Sequence, residues 1–121
     1  ENERRKVRTM NIRTADRSEI EFFQLYDADN AGNEFIVVEH EGEIVAYAQY
    51  NSGYSDAQIF FMESNMKGAG RAMIEWFQEN FEEVGAMNAV ETARPFYAKF
   101  GFDDVRKNGW AGQVDMFWYA D

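Results

Sequence analysis

Asn65-Met66-Lys67-Gly68-Ala69-Gly70-Arg71 stands between an apolar run and an amphipathic one. Before it, Ala57-Gln58-Ile59-Phe60-Phe61-Met62 is aromatic and β-branched and lies between Asn51-Ser52-Gly53 and Ser64-Asn65, the pattern of a buried strand. After it, Ala69, Ala72, Met73, Trp76, Phe77, Phe81 and Val84 recur at helical spacing, Arg71, Glu75, Gln78, Glu79, Glu82 and Glu83 take the other face, and Gly85 is placed to stop the helix. The stretch is therefore a strand-to-helix turn carrying two glycines. The first N–H groups of a helix have no partner inside it, its dipole is positive there, and glycine lets an anion come close to the backbone. Lys67 and Arg71 add two cations. A phosphate site is the functional reading; Gly-x-Gly also serves as a plain tight connection.

A second stretch bears on the choice. Ala93-Arg94-Pro95-Phe96-Tyr97-Ala98-Lys99-Phe100-Gly101-Phe102 reads as a short helix, a glycine stop and an aromatic, with a strand expected before it at about Ala86 to Val90. The two stretches, in this order, resemble the Gcn5-related N-acetyltransferase (GNAT) family. Its phosphate loop has the form Gln/Arg-x-x-Gly-x-Gly/Ala, a frame that residues 65–70 fill, and its later segment has the form Ala-x-x-Phe-Tyr-x-Lys-x-Gly-Phe, which residues 93–102 match at every fixed position. Departures exist: Asn65 stands where Gln or Arg is usual, Met62 where proline is frequent, and Val90 near the place of a common asparagine.

The rest of the chain fits one α/β domain over residues 1–121, with 1–5 a frayed, charged end. Val7 to Thr14 alternates as a first strand. Asp16 and Glu19 open a helix as a capping box, with Ile20, Phe23 and Tyr26 on its apolar face, and Leu25 beside them, up to about Ala28, followed by the turn-rich 29–33. Glu34 to His40 and Glu43 to Tyr50 are strands of a hairpin joined by Glu41-Gly42. Later strands are expected near Asp104 to Lys107 and Gln113 to Tyr119, with Asn108-Gly109 at the turn between them. The order β-α-β-β-β-α-β-α-β-β implies a mixed, mostly antiparallel sheet with helices on its faces. The resemblance adds that the strands at 57–62 and 86–90 run parallel and splay, and that the gap admits the pantetheine arm of coenzyme A.

Composition bounds the function. The net charge of -10 argues against general nucleic-acid binding. No apolar run approaches the ~20 residues of a membrane span and no export signal is visible. The chain has no cysteine, which excludes disulfides, thiolate metal sites and a cysteine nucleophile and suits the cytoplasm. No metal-ligand spacing stands out, and His40, the single histidine, belongs to no serine-hydrolase pattern. Between Ser18 and Met66 there is no Lys or Arg, whereas ten acids lie there: Glu19, Glu21, Asp27, Asp29, Glu34, Glu39, Glu41, Glu43, Asp56 and Glu63. That half is either a solvated acidic face or an attraction for a cationic acceptor; Lys67, Arg71, Arg94 and Lys99 suit the other half to a polyanion.

The resemblance implies an acetyl-CoA-dependent N-acetyltransferase acting directly on a primary amine of a small molecule or protein, or a catalytically silent acyl-CoA-binding or interaction module on the same fold. Backbone N–H groups of Phe60, Phe61 and Met62 would polarise the thioester carbonyl, and Asn65, Lys67, Gly68, Ala69, Gly70 and Arg71 would hold the pyrophosphate. Tyr97 takes the position of the tyrosine that protonates the sulfur. The amine needs a base, for which strand-end placement offers Asp56 first, then Glu63, with Glu39 and Glu91 behind them. Strand alternation puts Tyr54, Asp56, Gln58 and Phe60 on one face. Phe117 and Trp118 on the last strand suit either the core or the seam of a homodimer.

Overall fold

The computed structural model describes residues 10–16, 18–19, 34–109 and 112–121. Seven strands form one sheet: β1 (Met10–Thr14), β2 (Glu34–His40), β3 (Glu43–Ser52), β4 (Asp56–Ser64), β5 (Glu83–Val90), β6 (Asp104–Lys107) and β7 (Gln113–Tyr119). Their spatial order is β1-β2-β3-β4-β5-β7-β6. Every neighbouring pair is antiparallel except β4 with β5. Helix α1 (Ala69–Asn80) connects that parallel pair, and a 3-10 turn (Glu91–Ala93) and helix α2 (Arg94–Ala98) follow β5.

Local chemistry explains several boundaries. Glu41 and Gly42 both take positive φ, 52° and 81°, the mirror-image two-residue turn whose twist suits a hairpin. The capping box forms: the Glu19 N–H donates to Asp16 Oδ1 at 2.9 Å and the Asp16 N–H to Glu19 Oε1 at 3.1 Å. The body of the helix expected up to Ala28, and Val7 to Thr9 of the first strand, lie outside the described residues.

Paired residues face the same side of a sheet, so the register sorts the two faces. Ile36, Ala48, Val38, Ala46, Tyr50, Ile59, Ala57, Val84, Ala86 and Met116 line the side covered by α1. Ala69, Met73, Ile74 and Phe77 of α1 close over them, together with Phe102. Phe77 is fully buried with Tyr50 edge-on at 5.0 Å, and burying such a ring contributes about 1.5–3 kcal/mol. Trp118 also packs on this cluster.

Two expectations need correction. The helix does not run to Val84, and Gly85 does not stop it. The Phe81 N–H makes the last helical bond, to Phe77 O at 3.0 Å, while Phe81 itself is extended. The Glu82 N–H then donates to Ser55 O at 2.8 Å, which draws the chain into β5. Phe81 and Val84 still meet the core, so apolar spacing alone does not reveal where helix becomes strand. Gly85 lies inside β5 opposite Phe117, and a Cβ there would sit 2.9 Å from Phe117 Cε1 and 3.1 Å from Met87 Sδ. Gly85→Ala should therefore destabilise the fold by about 1–3 kcal/mol, read in urea as a lower midpoint at unchanged slope.

The second correction concerns β4. Tyr50 pairs with Ile59 but Gln49 pairs with Phe61, so Phe60 is an extra, bulged residue. Tyr54 is outside the strand and fully exposed. From the bulge onward, Phe61 and Glu63 take over the face that Asp56 and Gln58 occupy before it. Phe60 and Phe61 are 42% and 50% exposed, so the far end of this strand is not buried.

Candidate functional site: an opening between two parallel strands

Parallel pairing of β4 with β5 lasts only from Asp56↔Glu83 to Ile59↔Ala86. Beyond Ile59, β4 has no partner on its β5 side among the described residues. The Phe60 bulge lies one residue past the last pair, and β5 has its own break there: Ala86 pairs with Met116 but Ala89 with Val114. Met87 and Asn88 together oppose Asp115. Asn88 sits at φ 56°, left-handed, with its N–H donating to Asp115 Oδ1 at 3.0 Å. Asn108 Nδ2 donates to Asn88 Oδ1 at 2.7 Å and to Asp115 Oδ1 at 3.1 Å. Bulges on both strands bend them apart, and Phe60, Phe61 and Val90 stand exposed around the opening.

At the end of β4 the loop accounts for its N–H groups one by one. The Asn65 N–H donates to Val45 O at 2.7 Å, that of Met66 to Ser64 Oγ at 3.3 Å, and that of Ala69 to Met66 O at 3.1 Å. Asn65 and Ala69, both expected at the phosphate site, thus have their N–H groups taken. Ala72 begins the helical ladder by donating to Gly68 O at 3.0 Å. Gly68, Gly70 and Arg71 N–H have no partner among the described residues. Gly68 is left-handed at φ 91°, no side chain caps α1, and no acid lies in its first turn. The helix start is open and carries positive potential.

Gly70 has a packing role too. A Cβ on it would lie 3.3 Å from Phe96 Cζ, so the missing side chain lets α2 rest against the head of α1. Gln78 Nε2 of α1 ties down the turn after α2 by donating to Phe100 O at 2.8 Å. Lys67 is exposed. The Arg71 guanidinium lies 5.5 Å from the Phe100 ring centre and 4.0 Å from Glu75. Arg94 is turned to structure, its Nη2 donating to Gly112 O at 2.8 Å.

Tyr97 on α2 packs beside Phe96 (5.4 Å) and Phe102 (5.6 Å). Burial pushes its hydroxyl pKa up, because the phenolate would be poorly solvated. That hydroxyl has no partner among the described residues, yet it is not one of the two polar atoms sealed without one, Asn51 Oδ1 and Arg94 Nε. It stays protonated and free to donate.

The acids separate along β4. Asp56 lies at the closed end, three residues or about 10 Å before the opening, where it accepts from Gln58 Nε2 at 2.6 Å. Glu63 lies at the open end, directly across from Tyr47, whose hydroxyl donates to Glu63 Oε2. Desolvation, with the adjoining carboxylate, drives the Tyr47 pKa far up, so the phenol remains a donor. Glu39 is held by Arg13 Nε at 2.9 Å, and the same guanidinium holds Glu19 at about 2 in pKa. Glu91 opens the 3-10 turn after β5.

Residues 10–119 match the family model for the acetyltransferase (GNAT) domain. The chain belongs to the GNAT family. Solved structures agree on the fold. The spermidine N-acetyltransferase SpeG chimera from Vibrio cholerae and hSSAT superposes with a TM-score of 0.64 at 16% identity, covering 92% of this chain and 95% of that one. The PaiA N-acetyltransferase from Thermoplasma acidophilum, in complex with coenzyme A, gives 0.62 at 11% identity, covering 91% and 98%. The ribosomal-protein-S18-alanine N-acetyltransferase from Escherichia coli gives 0.61 at 13% identity, covering 89% and 90%. No curated protein sequence matches. No helix among the described residues is long and apolar enough to cross a membrane, and none of the described His, Asp and Glu residues form a group of three able to hold a metal ion.

Within this GNAT frame, Asn88 and Tyr47 are the residues that sequence reading passed over. Asn is the side chain most at ease at a left-handed position after glycine, a signal that was present at Asn88. Asn88→Ala should cost about 1–2 kcal/mol in urea denaturation, and Asn88→Gly less, because glycine accepts the same φ.

Proposed function

We propose that this protein is an acetyl-CoA-dependent N-acetyltransferase that passes the acetyl group directly to a primary amine of a cationic acceptor. The observation that carries this reading is the unpaired β4 edge beyond Ile59 leading straight into an uncapped helix start. The free Gly68, Gly70 and Arg71 N–H groups suit a diphosphate, and Lys67 adds charge. The β5-facing edge of residues 60–62 suits the amides of a pantetheine arm, as a peptide adds to a sheet edge. Acetyl-CoA, as co-substrate, would supply the activated thioester carbonyl.

The remaining steps belong to this chain. An N–H near the Phe60 bulge stabilises negative charge developing on the carbonyl oxygen. Glu63, at the open end, takes the proton from the ammonium in place of Asp56, which lies too far along the strand. As the C–N bond forms and the C–S bond breaks, Tyr97 gives its proton to the departing sulfur and regains one from solvent. The acetyl group needs no enzyme-bound stop, in keeping with a chain that has no cysteine. Ten acids and no Lys or Arg between Ser18 and Met66 favour a cationic acceptor, a small polyamine or a basic protein, and nothing here calls for nucleic acid. Spermidine and a ribosomal-protein alanine, in the names of two structural relatives, are acceptors of that amine class. A cytoplasmic setting suits the same cysteine-free composition.

Acetyl-CoA at 100 times its dissociation constant should stabilise the fold by about 2.7 kcal/mol in thermal melts. Absence of any shift would remove the cofactor reading, and a shift without thiol release over an amine panel would favour the silent binding module. Tyr97→Phe should lower kcat about 100-fold while acetyl-CoA still raises the melting temperature. Unchanged kcat would take Tyr97 out of the acid role.

A further inference from the structure

The one-residue slip at Phe60 changes which side chains meet. Before the bulge, Asn51 faces Gln58 and Tyr50 faces Ile59; continued without it, that register would set Tyr47 against Met62. With the slip, Tyr47 meets Glu63 instead, and its ring stacks on Phe61 at 6.0 Å with planes 15° apart. Tyr47 is buried at 7% exposure, so its hydroxyl needs an acceptor, and that acceptor is the carboxylate of an exposed residue. A long, solvent-facing acid is thereby fixed in one place.

Among the described acids on this face, Glu63 is the one set for a ligand. Glu39 is tied to Arg13 and Asp56 lies at the closed end of the strand. Among the described residues, Glu63 has no cation beside it and its Oε1 has no partner. Next to it, Phe61 offers a half-exposed ring. A fixed carboxylate oxygen beside an apolar aromatic face recognises a positive charge at the tip of an alkyl arm.

We infer that Tyr47 is a positioning residue for the acceptor: it holds Glu63 so that Oε1 meets a primary alkylammonium whose carbon arm lies along Phe61. This deepens the transferase reading and rests on it for the transfer step. In that step one ammonium proton passes to Glu63 Oε1, the neutral nitrogen forms its bond to the carbonyl carbon, the C–S bond breaks and the sulfur leaves with the Tyr97 proton; the second proton shed by the nitrogen goes to solvent, solvent reprotonates Tyr97, and Glu63 releases its own proton to solvent. The net products are the amide, the free thiol and one proton.

The test uses the whole chain saturated with coenzyme A and titrated with n-butylamine or 1-butanol, which share an arm but not a charge, followed by NMR at Phe61 and Glu63. The wild type should bind the amine and not the alcohol. Glu63→Gln and Tyr47→Phe should each weaken amine binding about tenfold or more, and the double variant should be no worse than Glu63→Gln alone. In turnover, Tyr47→Phe should lower kcat/KM for the amine while KM for acetyl-CoA holds. No amine binding by the wild type, equal binding of alcohol and amine, an unaffected Glu63→Gln variant, or additive losses in the double variant would each overturn the assignment. Amine binding that survives while no thiol is released would instead count against the transferase reading and leave this site in place.

Discussion

Two parallel strands that stop pairing in the middle of a sheet set the terms for everything around them. Buried backbone groups need partners, and each one left without costs about 1–3 kcal/mol. The separation of β4 and β5 after Ile59↔Ala86 is therefore held open actively, by a bulge on each strand. On β5 the Asn88–Asn108–Asp115 hydrogen bonds stabilise a left-handed residue that would otherwise be strained. The edge so created is a surface on which an extended ligand with amides of its own can complete the ladder.

The same separation positions the two helix starts of the candidate site. α1 starts where β4 ends and α2 starts where β5 ends, so the strands that diverge deliver both helix starts to the same region. Gly70 and Phe96 then bring α2 against α1. The left-handed Gly101, at φ 89°, closes α2 and turns Phe102 into the core, which anchors the segment that carries Tyr97. The loop amides left without a partner among the described residues and a protonated phenol thus sit on two elements locked together by packing. The opposite face of the sheet carries the charge: Arg13 with Glu39 and Glu19, Asp104 with Arg106, and the Tyr47–Glu63 pair. Exposed ion pairs of this kind add little stability beside the α1 core. Their weight falls on what the face attracts.

Much of this was legible from local chemistry. Glu41-Gly42 dictates a hairpin because few residue pairs tolerate two positive φ values in succession, and β2, β6 and β7 have the bounds their sequence patterns predict. Asp16 and Glu19 write a capping box in four letters. The Gly68–Gly70 turn and the Phe96-Tyr97 segment announce an uncapped helix start and the short helix packed against it. The end of α1 was not legible, since Phe81 and Val84 keep the helical rhythm after the backbone has changed to strand. Nor was the bulge at Phe60, for which no glycine or proline gives warning, and with it went the face of Glu63, the exposure of Phe61 and the part played by Tyr47.

By itself, then, the sequence determined the elements, their order, the family and the two motifs, because each depends on residues close along the chain. The tertiary structure decided which acid stands at the opening, which loop amides remain free and which tyrosine grips which carboxylate. Those depend on register, and a strand slipped by one residue turns every later side chain to the other face. That slip is set by the neighbours β3 and β5, whose pairing no stretch of β4 records.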